Sequence, residues 1–428
     1  MVETLLISFA ILLLLGAPVG FAVMGSSFLY FIVGSITGAG PSVVTAAQKI
    51  MTGIDSFPLM AIPFFVLAGE FMNTGGITKN LMAAAKSAVG HIRGGIAQVV
   101  ILASAMFAAM SGSSIACTSI FGKMMIPIME KDGYDKGFAS AIVSCSATVG
   151  PIIPPSISVI LYAVMAGCSA GQLLISGVIP GIIMAGSMMF VTYLVAIKRK
   201  YPTYERPSLE ERRESYKNAF LPLLMPVILI GGIVSGVFTA TEAAVVSVTY
   251  AAILGISTGM FRMPHFLKIS FDTFLGIGRT MFIIASCTLF GWIMTYEGIT
   301  KAIETFLRSV TDSSIVVLLL VNVVLLILGM FMESGAIIVM ITPILAPIVK
   351  AFGIDPIHFG MMVVINTMIG GVSPPVGLLM YISNDIAGVT MNEYLKHAWP
   401  LYIALVGSLL LVTFIPPLAT WLPGLLMG

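Results

Sequence analysis

The chain has 428 residues, 58% of them hydrophobic and only 9% charged, with a mean hydropathy of +1.05 and a formal charge of +2. No soluble domain of this length could bury so much apolar surface, so the sequence reads as a polytopic membrane protein. Cys117, Cys145, Cys168 and Cys287 lie in apolar segments without metal-ligand spacing, and the four histidines are scattered, so no transition-metal site is expected.

The opening apolar run, Leu5 to Leu15, lacks a basic flank and resumes directly after Pro18, which reads as a span rather than a signal peptide. At about 20 apolar residues per helix, spans are predicted near 4–17, 20–38, 57–75, 137–168, 173–197, 218–236, 239–259, 272–294, 358–388 and 398–422. Two further apolar stretches, 96–129 and 313–349, are interrupted near their centres by Ser111-Gly112-Ser113-Ser114 and by Glu333-Ser334-Gly335. Each is either two full spans or one re-entrant helical hairpin. Hairpins are the expectation because they put Lys79 to Arg93, Glu130 to Lys136, Arg262 to Lys268 and the linker 198–217 on the cytoplasmic side. That linker holds 7 of the 21 basic residues, and basic loops stay inside. Residues 79–93 and 301–312 are too polar to cross and are expected to lie in the interface as arm helices.

The chain repeats itself. The 54 residues from Pro127 to Pro180 recur without a gap 220 positions later. Pro127, Pro154, Pro155 and Pro180 meet Pro347, Pro374, Pro375 and Pro400, and Gly133, Asp135 and Gly150 meet Gly353, Asp355 and Gly370. A second match, at a spacing of 222, pairs Gly69, Met72, Gly76, Ile77, Thr78 and Lys79 with Gly291, Met294, Gly298, Ile299, Thr300 and Lys301. Counting spans makes the halves opposite in direction. The expected organisation is a first inverted repeat (1–197), a cytoplasmic linker (198–217) and a second inverted repeat (218–428), each with one hairpin and one broken helix (137–168 and 358–388). Two related halves, each broken by Gly and a Pro-Pro pair, are the mark of a secondary transporter.

The breaks are where chemistry is expected. Proline ends a helix by removing a donor and clashing with the preceding turn. Carbonyls freed in this way can coordinate a dehydrated cation, while the next half-helix offers its positive end to an anion. Hydroxyls add neutral oxygen ligands of the kind a hard, weakly held cation such as Na⁺ prefers. The sodium ligands are therefore sought at Ser111, Ser113, Ser114, Ser146, Gly150 and Pro151 in the first half. Their counterparts in the second half are Glu333, Ser334, Asn366, Gly370 and Ser373. Substrate contacts are sought at Thr118, Pro154, Ser156, Thr367 and Pro374. Glu333 stands out because a charge at membrane depth is expensive; Glu70 and Glu242 are also flanked by apolar sequence and can be ion ligands or structural partners. No cofactor beyond Na⁺ as coupling ion is implied.

The segments Pro63 to Met72, Met110 to Ser114, Gly150 to Ser156, Thr239 to Ala244, Gly329 to Glu333 and Gly370 to Gly377 together resemble the large membrane subunit of a TRAP (tripartite ATP-independent periplasmic) transporter. Glu333 stands where that family more often has Asp, and Ala240 where it often has Pro. The resemblance implies an all-α, inverted-repeat elevator-type ion transporter fold. It also implies Na⁺-driven import of an organic acid, of the sialic acid or four-carbon dicarboxylate class, across the bacterial inner membrane. The implied partners are a small four-helix membrane subunit and a periplasmic substrate-binding protein, with no nucleic acid. No membrane-embedded arginine cluster stands out, so anion recognition is expected to lean on half-helix ends and hydroxyls. A stand-alone ion-coupled antiporter or exchanger shares the inverted repeat and is the alternative. A membrane enzyme would need paired carboxylates, a Ser/His dyad or a metal cluster, and the sequence offers none of these.

Overall fold

The computed structural model describes residues 1–428 except 39, 75–76 and 258–262, so Gly76 and Arg262 lie outside the described residues. Helix is the only regular structure among the described residues. The first half contains α1 (Val2–Leu14), α2 (Val19–Thr37), α3 (Val43–Ile54), a 3-10 turn (Phe57–Met60), α4 (Ala61–Thr74), α5 (Ile77–Val89), α6 (Gly95–Ser111), α7 (Ser114–Lys131), α8 (Lys136–Ala147), α9 (Ile157–Ala166), α10 (Ala170–Ser176) and α11 (Val178–Arg199). The second contains α12 (Leu209–Val234), α13 (Ala240–Ser257), α14 (Met263–Tyr296), α15 (Ile299–Val310), α16 (Ser314–Gly329), α17 (Ser334–Ala351), α18 (Pro356–Gly370), α19 (Leu378–Ala387), α20 (Met391–Phe414) and α21 (Pro417–Met427). Seven helices among the described residues are long and apolar enough to cross a bilayer.

Several boundaries differ from the spans read in the sequence, for local reasons. The segment 57–75 is preceded by α3, which the hydropathy reading passed over because Gln48, Lys49 and Thr52 dilute it; α3 is bent by 57° from the helix that follows. The span 398–422 is two helices, because Pro416 and Pro417 stop α20 at Phe414 and Pro417 starts α21. Helix α14 runs to 34 residues where 272–294 was predicted, since Lys268 and Asp272 are exposed on its surface and do not interrupt it.

One end of the molecule gathers around the linker. Arg199 donates to Asp135 Oδ2 (2.7 Å) and lies 2.7 Å from Nδ1 of His397, and Tyr201 donates to the same Asp135 oxygen (2.8 Å). Burial pushes the Asp135 carboxyl up, but the Tyr201 hydrogen bond and the charges of His397 and Arg199 outweigh it and hold the group below its usual range. Tyr204 donates to Asp132 through its hydroxyl and to Gly90 O through its N–H (3.4 Å), with the Lys86 ammonium over its ring. The linker thus meets segments 79–93 and 130–136 at one end. At the opposite end Arg308 donates to Glu304 Oε1 (3.0 Å) and to Ala351 O (2.9 Å), while Asp355 caps α18 by accepting from the Ile357 N–H (2.7 Å).

Helix α8 therefore begins at the linker end and α18 at the other. Between them α8 lies against α19, where Ser140 Oγ is 2.9 Å from Ser383 Oγ and 2.7 Å from Asn384 Oδ1. In the matching place α18 lies against α9, with Gly360 beneath the Tyr162 ring. Helices α16 and α18 approach backbone to backbone: a Cβ on Gly329 would stand 2.8 Å from Gly370 Cα. Small residues permit that distance, and the dispersion gained at such contacts binds helices where the hydrophobic effect is absent. Gly329→Leu is expected to lower the apparent melting temperature in detergent by the equivalent of about 1–3 kcal/mol. Gly186→Leu, where an added side chain meets nothing within 4 Å, is the control. Equal melting of the two variants would show that the α16–α18 approach is not a packing constraint.

Candidate substrate and ion site

Each interruption at the centre of a helix pair is a short turn seated on a helix break. In the first half α6 ends at Ser111, and Gly112 takes a left-handed conformation (φ 60°). Ser113 then caps α7 by accepting from the Ala116 N–H (3.3 Å). The turn sits on the break between α8 and α9, since a Cβ on Gly112 would stand 3.0 Å from Pro155 O. Ser156 closes that break by accepting from the Val159 N–H (3.2 Å) and donating to Pro151 O. In the second half α16 ends at Gly329, and Met330 O accepts the N–H of Gly377 (3.0 Å), which ties this turn to the break between α18 and α19. Tyr402 supports the same break by donating to Val372 O (2.5 Å). Both breaks contain a cis peptide, at Pro154-Pro155 and Pro374-Pro375.

The two turns face each other across a cleft of 230 Å³. Its wall combines Ser111, Gly112, Ser113 and Ser114 with Glu333, Ser334 and Gly335, and adds Pro151 from the first break. The first turns of α7, α9 and α17 all reach it, through Ser114 to Ala116, Ile157 and Ser158, and Ser334 to Ala336. Three helix N-termini, each the positive end of a helix, therefore converge on one small volume. Glu333 is the N-cap residue of α17, but its side chain makes no cap bond, which leaves the carboxylate exposed to the cleft.

Of the residues expected at the site, Ser111, Ser113, Ser114, Pro151, Glu333 and Ser334 line this cleft. Thr367 reaches an adjoining pocket of 30 Å³ shared with Ser114, Glu333 and Gly371. The structure does not bring Thr118, Pro154, Ser156 or Pro374 to the cleft wall. Thr118 turns its hydroxyl to Ser114 O (2.8 Å), Ser156 is occupied as a cap, and the two prolines stand inside the breaks. Ser146, Gly150, Asn366, Gly370 and Ser373 are buried and do not line the cleft. Ser146 and Ser373 donate to Ile142 O (2.5 Å) and Ile369 O (2.8 Å) of their own helices, which leaves their oxygens free to accept. Asn366 donates to Asn322 O (3.0 Å) and Oδ1 (2.7 Å), while its own Oδ1 is buried without a partner. A buried orphan acceptor, set beside backbone freed by a break, fits a weakly held cation.

The remaining acids separate clearly. Glu242 is a helix cap: its Oε2 accepts from the N–H and the hydroxyl of Thr239, both at 2.8 Å. Glu70 lines the cleft from α4 together with Gly69 and Asn73, and Thr280 lines it from α14. Asn73, Ser158 and Thr280 were not singled out in the sequence. A signal existed for the α4 wall, since Ile62, Val66, Gly69 and Asn73 follow the i, i+4, i+7 spacing of one helix face.

A sequence model described as "Tripartite ATP-independent periplasmic transporter, DctM component" matches residues 6–418. The chain belongs to this family. It is 38% identical to the sialic acid TRAP transporter large permease protein SiaM of Vibrio cholerae, over 97% of each chain. It is 40% identical to the C4-dicarboxylate TRAP transporter large permease protein DctM of Pseudomonas aeruginosa, over 89% of this chain and 90% of that one. Among solved structures, the YdaH transporter of Alcanivorax borkumensis shares the fold with a TM-score of 0.61 at 13% identity, covering 88% of this chain and 89% of its own. The protein is thus a multi-pass membrane permease and not an enzyme.

Gly112→Ala tests the first turn directly. Its left-handed backbone is expected to cost an alanine about 1–2 kcal/mol. Amide exchange at Ser113 to Ala116 should then rise about tenfold, with α8 unchanged. Unaltered exchange would show that the turn is not held by this glycine.

Proposed function

We propose that this permease imports an organic acid, of the sialic acid or four-carbon dicarboxylate class, by a Na⁺-coupled elevator mechanism in the bacterial inner membrane. A periplasmic binding protein delivers the cargo, and a small four-helix membrane subunit completes the complex. The observation that carries the reading is the cleft between two turns, each seated on its own broken helix, in halves whose matching helices run in opposite directions. On this reading 1–197 and 218–428 are inverted repeats joined by the cytoplasmic linker 198–217. The pairs α6–α7 and α16–α17 are re-entrant hairpins, which suits non-helical backbone enclosed by protein at membrane depth.

Cargo sits between the hairpin tips, its carboxylate held by the N-terminal turns of α7, α9 and α17 and by Ser111, Ser114 and Ser334. Two Na⁺ sites lie behind it. One uses Ser111, Ser113, Ser114 and Ser146 with the backbone at Gly150 and Pro151; the other uses Glu333, Ser334, Asn366 and Ser373 with Gly370. Bound Na⁺ supplies positive charge that offsets the cargo and Glu333, since each unpaired charge at mid-membrane costs several kcal/mol. A preformed site of this kind is moved as a body, with α5 and α15 as interfacial arms.

Proteoliposome uptake with and without Na⁺ and binding protein tests the reading, and uptake independent of both would overturn it. Ser113→Ala and Ser373→Ala should each weaken Na⁺ dependence about tenfold, the loss of one ligand oxygen, without affecting insertion. Unchanged Na⁺ affinity in both would refute the assignment. Movement is tested by a cross-link between α14 and α17, because a Cβ at Gly291 would lie 3.4 Å from Pro343 Cβ, near disulfide distance. With the native cysteines replaced, oxidised Gly291→Cys/Pro343→Cys should stop uptake and reduction should restore it; full uptake when cross-linked would exclude an elevator. Topology follows from labelling: impermeant reagent on intact cells should reach a cysteine at position 306 and not one at 206, and the reverse would invert the orientation.

A further inference from the structure

We infer that Arg279 is a binding residue for the cargo carboxylate, placed on the flank of the cleft where the cargo enters or leaves it; this rests on the transport reading above. Arg279 stands 16 residues from the start of α14 and 17 from its end. Along the helix axis that is roughly 24–26 Å from either end, farther than an arginine side chain can reach. It lies inside the stretch read as a span (272–294), two helical turns from the exposed Asp272. Its residue is exposed, and among the described residues it makes no ion pair or hydrogen bond. Asp272, the acid nearest to it on the same strip of α14, is two turns away and does not pair with it. A guanidinium without a partner inside a predicted span points to a water-filled path or to an anionic ligand.

Its neighbours identify the partner. Gly276, three residues before it, and Thr280, immediately after it, both line the cleft, so Arg279 occupies the next strip of the same helix. The wall itself carries Glu70 and Glu333 and, among the described residues, no lysine, arginine or histidine. Left to the wall alone, an anion would meet two carboxylates. A guanidinium beside the wall supplies the missing attraction, and its planar fork matches a carboxylate with two parallel hydrogen bonds. Because it stands beside the wall and not within it, it can hand the anion to the helix N-termini without competing with them for the final position.

The test is cargo affinity of the purified transporter at saturating Na⁺, measured by isothermal titration with N-acetylneuraminate and with succinate as probes. For whichever acid the wild type binds, Arg279→Gln should weaken binding tenfold or more, while Na⁺ affinity measured without acid stays within twofold. Arg279→Lys keeps the charge and loses the fork, so its affinity should fall between the two. Should the glutamine variant fail to insert, the lysine variant carries the test: a threefold or greater loss is expected, and wild-type affinity would overturn the assignment. Wild-type cargo affinity in Arg279→Gln overturns it too, as does a loss of the small membrane subunit with cargo affinity kept, which would make Arg279 a subunit contact. If the wild type binds neither acid, the cargo reading itself has failed and this inference falls with it.

Discussion

A helix broken inside an apolar bundle frees N–H and C=O groups that have no water to bond, and every feature of the site depends on how those groups are satisfied. Here the partners come from within the same half. Ser156 takes the Val159 N–H and gives its own proton to Pro151 O; Gly377 gives its N–H to Met330 O, and Leu379 to Gly371 O (2.9 Å). Tyr402 reaches across from α20 to Val372 O. The breaks are thus not loose segments but turns with defined partners. The first turns of α7, α9 and α17 stand at the cleft, and the buried Asn366 Oδ1 has no partner. Donors that suit an anion and an acceptor that suits a cation are left within the same assembly by one structural necessity.

The two halves solve this problem with different chemistry. The first tip caps its second helix with the neutral Ser113, which accepts the Ala116 N–H with one of its two lone pairs. The second tip places Glu333 at the same position of α17 without a cap bond, so that its carboxyl group remains available to the cleft. Shared geometry and unequal charge mean that the repeats need not be equivalent ion sites, even though their breaks align. The backbone contacts differ as well: the second break is drawn against α16 by the Gly329–Gly370 approach, while the first tip is held by Gly112 on Pro155 O.

The sequence made the breaks and tips legible because proline pairs, glycines and clustered polar residues stand out in an apolar background, and because the 220-residue register repeats them. Six of the residues singled out there line one cleft. The direction of the hydroxyls was not legible. Thr118, Ser146 and Ser373 bond backbone carbonyls of their own helices, a local option open to any Ser or Thr in a helix that hydropathy cannot reveal. The outer wall was hidden for another reason. Glu70, Asn73 and Thr280 come from helices remote in sequence from the tips, and only packing decides which of their faces turns inward. Glu242 shows the converse, an acid in apolar sequence whose role is purely local, as a cap on Thr239.

The position of Arg279 follows the same logic as the breaks. The apolar segments hold no cluster of cations, and a transport site gains little from one: several arginines around a carboxylate would hold it too tightly to release. A single guanidinium beside a wall of helix ends, opposed by Glu70 and Glu333, sets attraction and repulsion against each other over a few ångströms. Binding then need only be favourable enough for entry and weak enough for exit. That balance is easier to reach with backbone dipoles and one movable charge than with a rigid ionic clamp.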